Sequence, residues 1–188
     1  MTDSDDLTWE TLDTHTAYEC PGFEITHESV MLPDGTESDF DYLSEPPAVV
    51  VLPFTTESEV VVIEEWRQAV KRVNRGLPVG SVESTDEDLA AAAHRELREE
   101  TGYEADRVER LCSTEPANGA ADSVHHYFVA HECEPAGKQD LDFNESIQPS
   151  TTTIDDLRDA IRTGEIQDGR TVTGVLYYET FGSIERNS

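Results

Sequence analysis

Lysine is almost missing from this chain. Only Lys71 and Lys138 occur, and lysine plus arginine total 13 against 41 aspartates and glutamates in 188 residues, a formal net charge of −28. So few cations cannot line a nucleic-acid backbone, which argues against a DNA or RNA polymer as partner. Cysteine is scarce as well. Cys20, Cys112 and Cys133 are scattered and odd in number, with no CxxC spacing, which disfavours a zinc site or a disulfide framework and suits reduced thiols of a cytoplasmic protein. No apolar run approaches the ~20 residues of a membrane span. The opening Met1-Thr2-Asp3-Ser4-Asp5-Asp6 is acidic where a secretory leader would be basic. The expectation is a cytoplasmic protein with no membrane partner. Its charge opposes compaction unless salt screens it, so a salt-rich, halophilic cytoplasm is expected too.

Carboxylates are abundant, and one group of them is ordered. Glu96, Glu99 and Glu100 stand at i, i+3 and i+4 of a helix expected over about residues 86–101, within an arc of roughly 100°. Three carboxylates on one arc repel unless a cation lies among them, and an oxygen-rich set suits Mg²⁺ or Mn²⁺ acting with substrate phosphates. Arg95 precedes Glu99 by four residues and can pair with it. Ser84 and Glu87 have capping-box spacing, and Asp86, Glu87 and Asp88 crowd the expected first turn. Ala90, Ala93 and Leu97 form an apolar stripe, and Gly102 stands where a left-handed cap is wanted. Other acidic pairs, such as Glu64-Glu65, read as solvated faces.

Around this helix the pattern is α/β. Residues 1–15 are polar and expected to fray. Phe23 to Leu32, the turn Pro33-Asp34-Gly35-Thr36 and Asp39 to Leu43 read as a hairpin. Glu45-Pro46-Pro47 reads as a linker. Ala48 to Leu52 and Val60 to Ile63 are Val-rich runs suited to buried strands, and His125 to Cys133 is a further strand. Ile154 to Arg162 reads as a helix between Thr153 and Gly164. Val172 to Phe181 fits a helix, although its Val, Thr and Tyr also suit a strand. The expected division is residues 1–45 and 46–188.

These residues resemble the Nudix box. Glu87, seven residues, then Arg95-Glu96-Leu97-Arg98-Glu99-Glu100-Thr101-Gly102-Tyr103 match that pattern in register. Six residues rather than five separate Gly80 from Glu87, an insertion in the loop before the helix. Flanking segments are similar to the ADP-ribose pyrophosphatase branch: Leu32-Pro33-Asp34-Gly35, Glu65-Trp66-Arg67, Leu77-Pro78-Val79-Gly80, and Gly164-Glu165-Ile166-Gln167-Asp168-Gly169-Arg170-Thr171. Gly76 and the position of Pro116 depart from that branch.

The resemblance implies an α/β/α sandwich with a mixed sheet, plus an N-terminal β-hairpin subdomain that often exchanges with a partner in a homodimer. It implies Mg²⁺-dependent (or Mn²⁺-dependent) hydrolysis of a phosphoanhydride in a small nucleotide. Glu96 and Glu100 would be the main metal ligands, Glu99 would share or bridge, held by Arg95, and the Val79 carbonyl would add a ligand. Glu145, in the acidic loop Asp140 to Glu145, is the candidate general base, against a solvated loop acid. Arg67 either contacts a phosphate or pairs with Glu64 or Glu65. Trp66 either stacks on adenine or packs in the core. His125 and His126 read as core or surface residues. Three functions remain open: an ADP-ribose or ADP-sugar pyrophosphatase, another Nudix nucleotide pyrophosphohydrolase, and a non-catalytic ligand sensor.

Overall fold

A computed structural model describes residues 7–182, so residues 1–6 and the last six lie outside the description. The chain divides into two compact units. One comprises the residues up to Pro46 together with Glu115–Val124; the other comprises Pro47–Thr114 and the residues from His125 on.

The first unit holds an antiparallel sheet of β1 (Glu10–Cys20), β2 (Phe23–Met31) and β3 (Glu37–Ser44) in that order. This corrects two expectations: the hairpin is a three-stranded sheet, and residues from Glu10 on are strand rather than frayed. β1 escaped notice because nearly all its residues are exposed, so it has no buried face and no apolar alternation. Its Thr11, Thr14 and Thr16 hydrogen-bond instead to glutamates of β2. The loop 115–124 belongs with this unit through Asp122, which accepts from Ser44 Oγ at 2.7 Å.

The second unit is a mixed sheet with helices on both faces. Its strands are β4 (Ala48–Thr55), β5 (Val60–Arg67), β6 (Arg72–Gly76), β7 (Val79–Ser81), β8 (Tyr103–Glu104), β9 (Arg107–Thr114), β10 (His125–Pro135) and β11 (Ile147–Thr152). The path runs β11-β5-β4-β10-β8, with β6 on β5, β7 on β4 and β9 on β10. β4 and β10 are parallel, while the other pairings are antiparallel. Side chains alternate across a strand, so β4 serves two cores. Val49 and Val51 meet Ala92, Ala93 and Leu97 of α1 (Leu89–Thr101). Val50 and Leu52 meet Leu157 and Ala160 of α2 (Ile154–Thr163) and Val175 of α3 (Gly169–Phe181). Burial on both faces is why β4 and β5 read as continuous apolar runs.

The first helix starts later than expected. Asp88 is the N-cap, accepting from Ala91 N–H at 2.8 Å, so Ser84 is not the cap and Asp86 and Glu87 precede the helix. Gly102 closes it at φ 73°, a left-handed conformation a side chain would strain. Thr153 and Gly164 bound α2 as expected. The segment open to either reading is helical, because Asp168 caps it from Thr171 N–H and its Val175 turns into the core. Strands β6, β7, β8, β9 and β11 were not expected; they are short, mixed in polarity, or interrupted by Pro149.

Candidate active site

Three consecutive residues of β7 meet three positions of α1. Val79 N–H donates to Glu100 Oε2 at 2.9 Å, and Ser81 C=O accepts from Arg95 Nη2 at 2.9 Å. Between them Gly80 lies so close to the Glu96 carboxylate that any Cβ there would overlap it. This close approach accounts for glycine at position 80.

Arg95 organises the acidic arc. It forms a two-pronged pair with Asp86, both N···O distances 2.9 Å, and its Nη1 reaches Glu96 at 2.7 Å and Glu99 at 3.0 Å. Asp86 is the strongest influence holding this guanidinium charged, followed, beyond the opposing effect of burial, by Glu96 and Glu99. In return, Arg95 holds the Asp86 carboxyl below its usual range. Sequence spacing showed only the Arg95–Glu99 pair. Asp86 lies in a run of acids that suits a first helical turn, which masks its place before α1, where it ties the loop to the helix.

Glu96 and Glu100 are 8 % and 2 % exposed. Burial pushes Glu96 up to about 7 despite Arg95, with Glu99 and Glu145 adding repulsion. Burial also drives Glu100 well above the ordinary carboxylate range; the Val79 N–H opposes this, while Glu96, Glu145 and Glu65 reinforce it. A site that disfavours negative charge yet is built from carboxylates fits a divalent cation. Among the described residues no three acids, imidazoles or thiols already enclose a point where an ion could sit.

Glu145 sits half-buried in the loop before β11, its Oε2 accepting from Asp142 N–H at 3.0 Å. Gln139 ties this loop to α1, donating to Glu100 C=O at 2.6 Å and to Ile147 C=O at 3.3 Å. Glu145 raises Glu65, Glu96 and Glu100 alike, so the loop brings it within electrostatic reach of all three.

Two expectations about β5 change, at Glu65 and Trp66, while Arg67 takes one of the two places open to it. Glu65 is not on a solvated face: it is 8 % exposed, because strand alternation turns Glu64 and Trp66 outward and Glu65 inward. Arg67 pairs with it, Nη2 to Oε2 at 2.7 Å. Trp66 is not a core residue; it is 47 % exposed and donates to Gln68 Oε1 at 3.0 Å. Of the histidines, His126 Nδ1 lies 2.7 Å from Ser113 Oγ. Arg170 was missed. It bonds Asp168 at 3.1 Å and acts with Arg67 on Glu65, and nothing in local spacing linked it to residues a hundred positions earlier.

The NUDIX domain profile matches residues 44–172. The chain belongs to the Nudix family. An ADP-ribose pyrophosphatase of Bacillus subtilis is 30% identical over 81% of this chain and 82% of its own length. A methanol dehydrogenase activator of Bacillus methanolicus is 33% identical over the same shares. A GDP-mannose pyrophosphatase of Escherichia coli is 28% identical over 71% and 73%. The crystal structure of an ADP compounds hydrolase superposes with a TM-score of 0.80 over 93% of this chain and 94% of that one, at 19% identity, a likeness of fold. The protein is a Nudix hydrolase acting on phosphoanhydrides, in a family that generally uses divalent metals such as Mg²⁺. No helix among the described residues is long and apolar enough to cross a membrane.

Proposed function

We propose that this Nudix hydrolase cleaves the pyrophosphate bond of a nucleoside diphosphate sugar, with ADP-ribose yielding AMP and ribose 5-phosphate. The carrying observation is the buried pair Glu96 and Glu100 against β7, with Arg95 bonded to Glu96 and Glu99 but not Glu100. The ADP-ribose pyrophosphatase relative supports adenosine as the nucleoside. The GDP-mannose pyrophosphatase relative supports a second reading, the same cleavage on a guanosine sugar nucleotide.

Glu96 and Glu100 would hold Mg²⁺ or Mn²⁺, with Glu99 shared between the ion and Arg95, and the Val79 carbonyl as a further ligand. The bound ion would neutralise the diphosphate and lower the pKa of a bound water. The water oxygen adds to one phosphorus, the bridging P–O bond breaks, and the departing phosphate keeps that electron pair. Glu145 accepts the proton of the water. Arg67 turns from Glu65 to a phosphate oxygen, and exposed Trp66 offers a ring for the base. Glu145→Gln should cut turnover far more than metal affinity; unchanged turnover removes Glu145 as the base.

The first unit exposes Trp9, Leu12, Tyr18, Phe23 and Phe40. The reading is that residues 1–45 form a subdomain covered in a homodimer, and light scattering at one chain mass would reject it. The charge of −28 supports a halophilic cytoplasm; equal melting temperatures in dilute and molar KCl would count against it.

The deciding experiment is product analysis in molar KCl with Mg²⁺, offering ADP-ribose beside other nucleotides, with Glu100→Gln as control. AMP and ribose 5-phosphate, lost in the variant, support the proposal. Pyrophosphate released from triphosphates moves the substrate, and no turnover by folded protein moves the reading to a ligand sensor.

A further inference from the structure

A second charged group gathers on β5, β6 and the start of α3. Strand register pairs Ile63 with Gly76, Glu65 with Asn74 and Arg67 with Arg72, so these six share one sheet face. The first turn of α3 packs on that face: Leu77 N–H donates to Thr171 Oγ1 at 3.0 Å, and a Cβ at Gly76 would run into the same hydroxyl. Arg72 Nη1 reaches across to Gln167 at 2.9 Å. Arg170 lies in that turn, and its charge falls on Glu65 together with that of Arg67.

Two features here cost stability, and they are of opposite kinds. Glu65 is 8 % exposed, and its Oε2 accepts no hydrogen bond among the described residues. The Arg67 Nη2 beside it at 2.7 Å makes an ion pair without the alignment of a hydrogen bond. A buried acceptor left so calls for a partner. Arg170 is the second residue of α3, at the helix end where the dipole disfavours a cation. Of its five donors only Nε is used among the described residues, towards Asp168. One place therefore offers unused cationic donors and a buried carboxylate oxygen held by an ion pair but by no hydrogen bond.

A ligand that satisfies both must carry an anionic group for the guanidiniums and hydroxyl donors for the carboxylate. A sugar phosphate does. Inorganic phosphate lacks the sugar hydroxyls, and a triphosphate tail would set more negative charge against Glu65. We propose that Glu65, Arg67 and Arg170 form a sugar-phosphate subsite, in which Glu65 is the specificity-determining residue that favours sugar-linked diphosphates over triphosphates. The assignment of this ligand to the sugar end of the substrate rests on the function proposed above. Arg67 is one-third exposed, so its guanidinium can move onto the phosphate and uncover Glu65 Oε2 for a hydroxyl.

The test is calorimetric binding of ribose 5-phosphate and of inorganic phosphate, with Mg²⁺ present, to the full chain and to Glu65→Gln and Arg170→Gln. Wild type should bind ribose 5-phosphate more tightly than phosphate. Glu65→Gln should lower that preference about tenfold, the scale of a hydrogen bond to a charged group. Arg170→Gln should weaken both ligands and keep the preference. The subsite is overturned if wild type shows no preference, if Glu65→Gln keeps it in full, or if Arg170→Gln binds both ligands as wild type does. ADP-ribose turnover is measured on the same samples. Turnover with an unmoved preference removes the subsite and leaves the hydrolase reading. A preference that moves as expected without turnover of any sugar nucleotide removes that reading and leaves the subsite.

Discussion

Helices α1 and α3 pack on opposite faces of one sheet, and both bury polar side chains, but with different closure. In α3, Thr171 is 0 % exposed and complete: its hydroxyl donates to Asp168 Oδ2 at 2.8 Å and accepts from Leu77 N–H at 3.0 Å. Burial would raise the Asp168 carboxyl, but Arg170 and the Thr171 bonds outweigh it and leave it low. In α1, Glu100 is buried almost as deeply, yet among the described residues its carboxylate is met by the Val79 N–H alone, and burial drives its pKa up. A buried polar group with all its bonds is part of the architecture. A buried carboxylate that the fold leaves short of countercharge is a candidate for holding a ligand.

The contrast breaks first at Glu100→Gln. Turnover should fall by more than about a hundredfold, beyond the range expected for a merely supporting group, while the metal-free protein melts no lower than wild type. Near-normal turnover would make Glu100 as structural as Thr171. Next is Gly80→Ala, whose methyl must displace the Glu96 carboxylate. We expect roughly tenfold or greater loss of Mg²⁺ affinity, since ligand orientation is disturbed; an unchanged Mg²⁺ activation curve would show that Glu96 has room to spare. On the other helix, Thr171→Val strands the Leu77 N–H and should cost about 1–3 kcal/mol in urea unfolding, leaving Mg²⁺ activation as it was. A shifted metal constant with full stability would reverse the two roles.

The smallest expected effect is a pH dependence. Glu96 sits at about 7 when folded against an ordinary 4.5, so between these values the folded chain holds more protons than the unfolded one. Its contribution to metal-free stability is therefore present at low pH and is lost as pH rises through about 7. Glu100 acts in the same direction. Stabilisation by Mg²⁺ should then grow across that window, because the ion binds the charged form. Melting temperatures with and without Mg²⁺ at several pH values test this, with Glu96→Gln as reference. A wild-type slope equal to that of the variant would refute it.

Local order was legible where a residue's role depends on near neighbours. The spacing of Glu96, Glu99 and Glu100 placed them on one helix, and Gly102, Thr153 and Gly164 marked helix ends that the backbone confirms. The Val-rich runs of β4 and β5 announced burial on both faces. β1 was not legible, because a strand without a buried face carries no apolar period. The start of α1 was misplaced because several capping residues lie in a row, and only contact with Arg95 separates Asp86 from the helix. Glu65 and Trp66 were exchanged in role because one adjacent acid pair offered no sign of which member faces inward.

The sequence by itself determined the carboxylate arc, the Nudix pattern around it, the acidic surface and the α/β class, since each rests on composition or on spacing within a few turns of chain. Tertiary structure decided what those carboxylates experience. Bringing β7 onto α1 buried Glu96 and Glu100, and bringing α3 to the β5–β6 hairpin set Arg170 within electrostatic reach of Glu65. Desolvation and countercharge depend on what lies across space, and chain spacing alone does not carry that information.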